Sequence, residues 1–154
     1  FLKIKEAMFF AFSTSSSSAT IPVTLRNVKE NLGVKNKVAS FTVPLGSTIN
    51  MDGTAIMQGV ATIFIANIYS ESLIFSDFLT IILTATLASV GTAGVPGVGL
   101  IMLGMVLNQV GLPLEGIAIV MGVDRLLDML RTSINVSGDA MVSLLIDKSE
   151  STKN

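Results

Sequence analysis

The sequence predicts an all-α membrane protein: two re-entrant helical hairpins, one broken transmembrane helix and one polar-faced transmembrane helix, arranged as an inverted-repeat transporter core. Three observations carry that expectation. Half of the 154 residues are hydrophobic, 14% are charged and the mean hydropathy is +0.71, whereas about a quarter of the residues of a soluble domain are charged. The charge-free windows 7–25, 38–51, 53–70 and 78–114 cover most of the chain up to residue 114. Asp124, Asp128, Arg131, Thr132, Asn135 and Asp139, placed at about 100° per residue, fall within an arc of roughly 100° and share one helix face.

Each element follows from local composition. The chain opens on an apolar helix, with Lys3, Lys5 and Glu6 near its outer end, and reaches the tract Ser13, Thr14, Ser15, Ser16, Ser17 and Ser18. A serine tract in water is a flexible linker. Flanked by membrane-grade segments it reads as a hairpin tip, with a second arm from Ala19 to about Leu32 and an aqueous turn over the charged stretch 26–37. Segment 38–68 is interrupted by Asn50-Met51-Asp52-Gly53-Thr54. A helix broken there frees backbone carbonyls beside a carboxylate, which suits a cation; the alternative is a polar kink packed against another helix. A second aqueous turn spans 69–77.

Window 78–114 runs 37 residues, too long for one perpendicular crossing of about 20 residues. Its middle, Ser89-Val90-Gly91-Thr92-Ala93-Gly94-Val95-Pro96-Gly97, holds three glycines and a proline and is a poor helix. The arms, 79–88 and 98–110, would span roughly 15–20 Å, short of a ~30 Å hydrocarbon core. A second hairpin results, whose tip survives at membrane depth only where protein or a wet cavity satisfies its backbone. The last helix carries the polar stripe between apolar flanks at 116–123 and 140–146. Each charge at mid-membrane costs ~2.5–3.5 kcal/mol, so the stripe faces protein, water, ions or a charged ligand. The segments are bounded at 1–33, 38–69, 76–111 and 113–148. Hairpin, broken helix, hairpin, polar helix is one plan used twice, the pattern of an inverted repeat with a mid-membrane site; the halves share no convincing residue-level identity.

Composition also excludes classes of function. With Lys and Arg numbering 10 against 11 acids, there is no basic surplus for nucleic acid. The chain has no cysteine and no histidine, which removes disulfides, thiol catalysis, zinc sites and imidazole chemistry. Asp124, Asp128 and Asp139 could pose as catalytic carboxylates, but no activated partner accompanies them, and an enzyme is not expected. The glycines at 91, 94, 97 and 99 follow no strand and are no dinucleotide fingerprint. Asn135-Val136-Ser137 fits a glycosylation sequon but lies inside the polar helix. Asp128 and Arg131, three residues apart, could form an internal salt bridge, which is compatible with a ligand role. Phe1 begins inside an amphipathic stretch with neither initiator Met nor signal-peptide pattern, so the chain reads as a piece of a longer protein.

Ser15 to Ser18 with Ala19-Thr20-Ile21-Pro22, Asn50-Met51-Asp52-Gly53-Thr54, Gly91-Thr92-Ala93-Gly94-Val95-Pro96-Gly97, and Asp128-Met129-Leu130-Arg131-Thr132 through Asn135 to Asp139 together resemble the dicarboxylate/amino acid:cation symporters. This is the glutamate transporter family, with archaeal sodium–aspartate symporters and animal excitatory amino acid transporters among its members. The resemblance covers almost the whole chain, with four motifs in order. It implies that residues 1–154 are the C-terminal core of a moving transport domain, without the trimerisation scaffold.

The resemblance implies a role for each matching residue. Asp128 accepts the substrate's α-ammonium group, and Arg131 pairs with a side-chain carboxylate, a task suited to its planar fork. Thr132 and Asn135 hold carboxylates by hydrogen bonds. Ser15, Ser16 and Ser17 contribute from the first hairpin tip (Ser17 with the backbone of Ser15), Thr54 from the broken helix, and Val95 and Gly99 offer backbone groups from the second hairpin, the gate. For Na⁺, Gly46, Asn50, Asn135 and Asp139 resemble one site, and Thr48, Ser89, Val90 and Thr92 a second. Asp52 with Asn50 resembles part of a third. No cofactor is implied beyond Na⁺ as coupled ion.

Two departures from the family pattern matter. Archaeal members carry arginine at the position of Ser15 and animal members at that of Met129; this sequence has neither, which alters the electrostatics around Arg131. Gln58 stands where animal members have a protonatable glutamate, arguing against proton co-transport by that route and against potassium counter-transport. The expected function is Na⁺-coupled symport of aspartate or glutamate by an elevator motion, within a homotrimer in a lipid bilayer. The gate and Gln58 look prokaryotic and imply a cytoplasmic membrane. Two rival readings stay open: a neutral or sulfur-containing amino acid as cargo, and a truncated, non-transporting membrane polypeptide. A soluble carboxylate enzyme is a distant third.

Overall fold

The computed structural model describes residues 2–152, and among them there is no strand. A 3₁₀ turn (Leu2–Ile4) leads into α1 (Lys5–Thr14) and α2 (Ser17–Glu30), followed by α3 (Asn36–Ile49), α4 (Asp52–Ile68), α5 (Phe75–Val90) and α6 (Val98–Gln109). A second 3₁₀ turn (Leu114–Gly116) then precedes α7 (Ile117–Met121) and α8 (Asp124–Thr152). Among the described residues no helix is long and apolar enough to cross a membrane. Helices α1 to α7 stop at 17 residues or fewer. The 29-residue α8 has the length but carries the polar stripe.

The breaks are shorter than the sequence implies. The serine tract is helical except at Ser15 and Ser16, because hydroxyls can satisfy helix ends in both directions. Ser13 and Thr14 donate back to the carbonyls of Phe9 (2.9 Å) and Phe10 (3.0 Å). Ser15, at φ 52°, ψ 32°, closes α1 by donating its N–H to Ala11 O, and the Ser16 hydroxyl caps α2 by accepting from Ala19 N–H at 3.1 Å. The α3–α4 break is confined to Asn50 and Met51. The polar helix expected over 113–148 is divided instead, with a turn at Gly122 and Val123 separating α7 from α8.

Helix α8 is the spine, packing on α1, α2, α3 and α4. Its seam with α1 is made of small residues, Ala7 and Ala11 against Val136, which lets the two backbones approach closely. Ser133 adds a hydrogen bond to Met8 O (2.6 Å). Along α3, Thr42 bonds Ser143 (2.7 Å) and Gly46 faces Asp139; past the break, Gly53 faces Arg131. The rising α3–α4 numbers meet falling α8 numbers, so α8 runs antiparallel to both halves of the broken helix.

Apolar clusters fill the space between the other helices. One joins α4, α6 and α7 through Met57, Ala61, Ile65, Leu103, Leu107 and Val120. Another joins α2, α3 and α8 through Val28, Val38, Ala39, Val43 and Ala140. The open end of the α1–α2 pair is closed by polar contacts: Arg26 with Glu6, Asn27 with Glu6 (3.1 Å), and Asn31 with Lys3 O (2.9 Å). The molecule's polarity is inverted. Its buried set includes Asp128, Arg131, Asn135, Asp139, Gln58 and Ser143, while Phe9, Phe41, Val60, Ile82, Leu87 and Ile101 stand exposed.

Candidate functional site

The α1–α2 break, the α3–α4 break and the α5–α6 tip converge on the middle of α8 around a small polar cavity of about 10 Å³. Ser15 and Ser17 line it from the first break, Met51 and Thr54 from the second, and Thr92 through Val95 with Gly99 from the tip. Asp128, Arg131, Thr132 and Asn135 line it from α8. A broken helix places backbone N–H and C=O groups and short polar side chains where a continuous helix would present only its flank.

Arg131 is the central charge. Its Nε donates to Asp128 Oδ1 at 2.9 Å, and its Nη1 lies 3.6 Å from Asp124 Oδ1. Nη1 has no hydrogen-bond partner. The three side chains are 5–11% exposed, so this is one cation between two anions away from bulk water, where charge pairs are strong and an unmatched charge is costly. Gly99 brings the α6 backbone against the Arg131 guanidinium, into which a Cβ would run. Asp128 is used twice more: Oδ1 accepts from Thr132 Oγ1 (3.4 Å) and Oδ2 from Gly97 N–H (2.9 Å). That last bond ties the α5–α6 tip to α8, and Gly97 accepts its φ of 82° without a Cβ penalty.

Asn135 bridges to the broken helix. Its Oδ1 accepts from Gly53 N–H (2.8 Å) and its Nδ2 donates to Thr54 Oγ1 (3.2 Å) and to the Met51 sulfur (3.2 Å). One turn further along α8, Asp139 Oδ1 lies against Gly46 and accepts from Asn50 Nδ2 at 3.0 Å. The Asp52 carboxylate reaches the same stretch of α8, at Gly138. Gly46, Asn50, Asp52, Asn135 and Asp139 are thus gathered. No cage of three or more acidic side chains occurs among the described residues. The set combines two carboxylates, Asp52 and Asp139, with the side-chain amides of Asn50 and Asn135 and the backbone at Gly46, oxygen donors of the kind that hold a hard cation.

The hydroxyls of Thr48, Ser89 and Thr92 are each turned onto a carbonyl of the preceding helical turn. Thr48 is exposed with its hydroxyl turned onto Leu45 O (2.8 Å). Val90 is exposed, while Ser89 and Thr92 are buried and bond carbonyls of α5, Thr86 O (2.8 Å) and Ala88 O (2.9 Å). Of the substrate-site residues read from sequence, Ser15, Ser17, Thr54, Val95, Gly99, Asp128, Arg131, Thr132 and Asn135 line the cavity. Ser16 does not: its hydroxyl donates to Gly94 O at 2.7 Å, and Ser18 N–H donates to the same carbonyl at 3.2 Å.

Those two bonds join the two tips. A Cβ on Gly94 would sit 2.8 Å from both Ser18 Oγ and Ser47 O, so only glycine permits the approach. Ser16→Ala removes one tip-to-tip bond and the cap on Ala19 N–H together. Each is worth about 1 kcal/mol. The variant is expected to lose roughly 1–3 kcal/mol of stability and to exchange amide hydrogens faster over residues 91–97; Ser16→Thr, which keeps the hydroxyl, should do neither. Hydrogen-exchange mass spectrometry on the full-length protein checks both.

Sequence reasoning left out Asp124, Met51, Gly94 and Gly97 as site residues. Asp124 was on the polar stripe and Met51 inside the helix break, so position alone could have found them. The two glycines act through backbone atoms, which leave no side-chain signature.

The model of the sodium:dicarboxylate symporter family matches residues 1–149. The excitatory amino acid transporter of Caenorhabditis elegans is 52% identical over 136 residues, 88% of this chain and 27% of that protein. That of Onchocerca volvulus is 51% identical, over 88% of this chain and 28% of its own length. Excitatory amino acid transporter 1 of Homo sapiens is 46% identical over 142 residues, 92% of this chain and 26% of that protein. The chain spans about a quarter of the length of these relatives. With a family-wide match over nearly its whole length, and two broken elements and a glycine-rich tip meeting at a buried Asp–Arg–Asp cluster, the chain belongs to the sodium:dicarboxylate symporter family, whose members are transporters and not enzymes.

Proposed function

We propose that this chain is the substrate- and ion-binding core of a secondary active symporter that carries acidic L-amino acids, aspartate or glutamate, with Na⁺ across a cell membrane. The observation that carries the reading is the buried Arg131: its guanidinium lies between Asp128 and Asp124, while Nη1 lacks a hydrogen-bond partner within a polar cavity. A planar cation with a free donor recognises a second carboxylate and gives a neutral side chain nothing to bind. Asp128, already accepting from Gly97 N–H, can take the ammonium group. Thr132, Asn135, Thr54 and Ser17 supply neutral hydrogen bonds, with backbone groups of Ser15, Val95 and Gly99 around them.

Residues 1–33 and 76–111 act as re-entrant hairpins, 38–69 as the broken helix and 113–148 as the polar-faced segment of this core. The half-length helices and apolar exterior support a place in lipid beside further helices. Na⁺ is carried at Gly46, Asn50, Asn135 and Asp139, with Asp52 and Asn50 serving another site. Thr48, Ser89, Val90 and Thr92 come together when the α5–α6 tip closes over substrate. Ions that bind only the closed tip couple their gradient to the cargo through differential affinity. Elevator movement of this core within a homotrimer, in a cytoplasmic membrane, completes the mechanism.

Titration of the full-length protein with L-aspartate tests the reading. Heat of binding that appears in Na⁺ and vanishes in choline is the expected result; binding indifferent to Na⁺ refutes the coupling, and absence of binding refutes the cargo.

A further inference from the structure

The charges of the chain are sorted by end. Lys3, Lys5, Arg26, Lys29, Lys35, Lys37 and Lys148 lie at one end, against Glu6, Glu30, Asp147 and Glu150. Contacts gather that group: Arg26 pairs with Glu6, Asn31 donates to Lys3 O, and Lys35 reaches both Asp147 and Ser151 on α8. At the opposite end the turns after α4 and α6 meet around Leu73 and Leu112. There the chain carries Glu71, Asp77 and Glu115 and no lysine.

Beside α1, at the basic end, runs an apolar groove of about 380 Å³ lined by Leu2, Lys5, Met8, Phe9, Phe12 and Ser133. The Ser133 hydroxyl is spent on Met8 O, so Lys5 is the polar group the groove has left to offer. Lys5 is exposed and, among the described residues, makes no ion pair. The acid next to it, Glu6, is taken by Arg26 and Asn27. Met8, Phe9 and Phe12 follow Lys5 over about 10 Å of helix rise, away from the basic end. The grooves between α4, α7 and α8 and between α4 and α5 differ, because no lysine lines them.

An unpaired ammonium at the head of an apolar track, in a region with surplus cations, matches a lipid that carries its charge at the membrane surface and its chain inward. A neighbouring helix would cover the track but leave the ammonium without an anion. We propose that the groove beside α1 binds an anionic phospholipid, with its headgroup on Lys5 and an acyl chain along Met8, Phe9 and Phe12. The site needs the membrane location proposed above, and neither the cargo nor the coupled ion.

The test uses the full-length protein in phosphatidylcholine nanodiscs doped with a photoreactive lipid. The probe is phosphatidylglycerol or phosphatidylcholine, each with the same diazirine on its acyl chain, and labelled residues are mapped by mass spectrometry. The phosphatidylglycerol probe should label residues 5–12 about fivefold more than the phosphatidylcholine probe, the weight of one lysine near a charged surface. Lys5→Gln should bring the two probes level, and Lys5→Arg should keep the preference. Equal labelling by both probes in the parent overturns the proposal and leaves only unselective boundary lipid. A preference lost equally in Lys5→Arg and Lys5→Gln overturns it too, since the charge would then not be what binds. If residues 5–12 stay unlabelled while other segments are labelled, a helix of the full-length protein covers the groove, and the proposal alone falls. If the protein does not enter the nanodiscs at all, the membrane reading falls, and the proposal with it.

Discussion

Arg131→Ala in the full-length protein is expected to weaken L-aspartate binding at least about a hundredfold, with Na⁺ present. That loss corresponds to about 2.7 kcal/mol, within the range for removing one partner of a buried, hydrogen-bonded charge pair. The geometry makes the effect specific. Arg131 Nε is engaged by Asp128 while Nη1 is not hydrogen-bonded, so the guanidinium can serve the protein and the ligand at once. Without it, Asp128 on the cavity wall and Asp124 beside it are two buried acids with no cation between them, which repels an anionic side chain. Arg131→Lys keeps the charge but not the fork, and should fall between parent and Ala, near a tenfold loss. Calorimetry on the three proteins measures the series. The neutral-cargo reading makes the opposite forecast: Arg131→Ala would leave uptake of a small neutral amino acid intact, and Arg131→Lys would differ little from it.

How much of this was legible in the sequence follows from what leaves a trace in side chains. The polar face of α8 was legible because six polar residues recur at helical spacing in an apolar background, and all six are buried. The glycine-rich break between α5 and α6 was legible for the same kind of reason, since Gly91, Gly94, Pro96 and Gly97 disfavour helix whatever surrounds them. The extent of the first break was not. Serine reads as a linker residue, yet next to a membrane-grade helix its hydroxyl can donate to the preceding turn or cap the next one, and the non-helical stretch shrank to Ser15 and Ser16. The division of the last segment at Gly122 was hidden because one glycine inside an apolar run is tolerated in many helices. Ser16 shows the remaining limit: a serine beside a cavity and a serine bonded to the opposing tip look identical in sequence, and only the position of the Gly94 carbonyl separates them.

Gly53→Ala is expected to be among the most damaging single-methyl changes in the described chain, because all three atoms its Cβ meets first are main chain. A Cβ there would lie 2.9 Å from Arg131 Cα and 3.0 Å from Arg131 C, with the Arg131 carbonyl oxygen closer still. At Gly99 and Gly138 the obstructing atoms belong to side chains, which can swing aside; at Gly53 they belong to the backbone of α8. Relief requires α4 to move off α8, and that movement breaks the Gly53 N–H to Asn135 bond, 2.8 Å long and buried. Overpacking costs about 1–3 kcal/mol where side chains can adjust, and the lost hydrogen bond adds about 1 kcal/mol. A destabilisation of at least about 3 kcal/mol follows. Gly59, six residues along the same helix, supplies the control. Its Cβ would meet only Ile81 Cγ2, at 4.0 Å, so Gly59→Ala gains helix propensity and should be neutral or stabilising by up to about 1 kcal/mol. Thermal unfolding of the two variants side by side reads the difference. A Gly53→Ala protein as stable as Gly59→Ala would mean that the broken helix and α8 are not pressed together at the site. Asn135 would then be free to leave Gly53 and turn wholly to a bound ion or substrate.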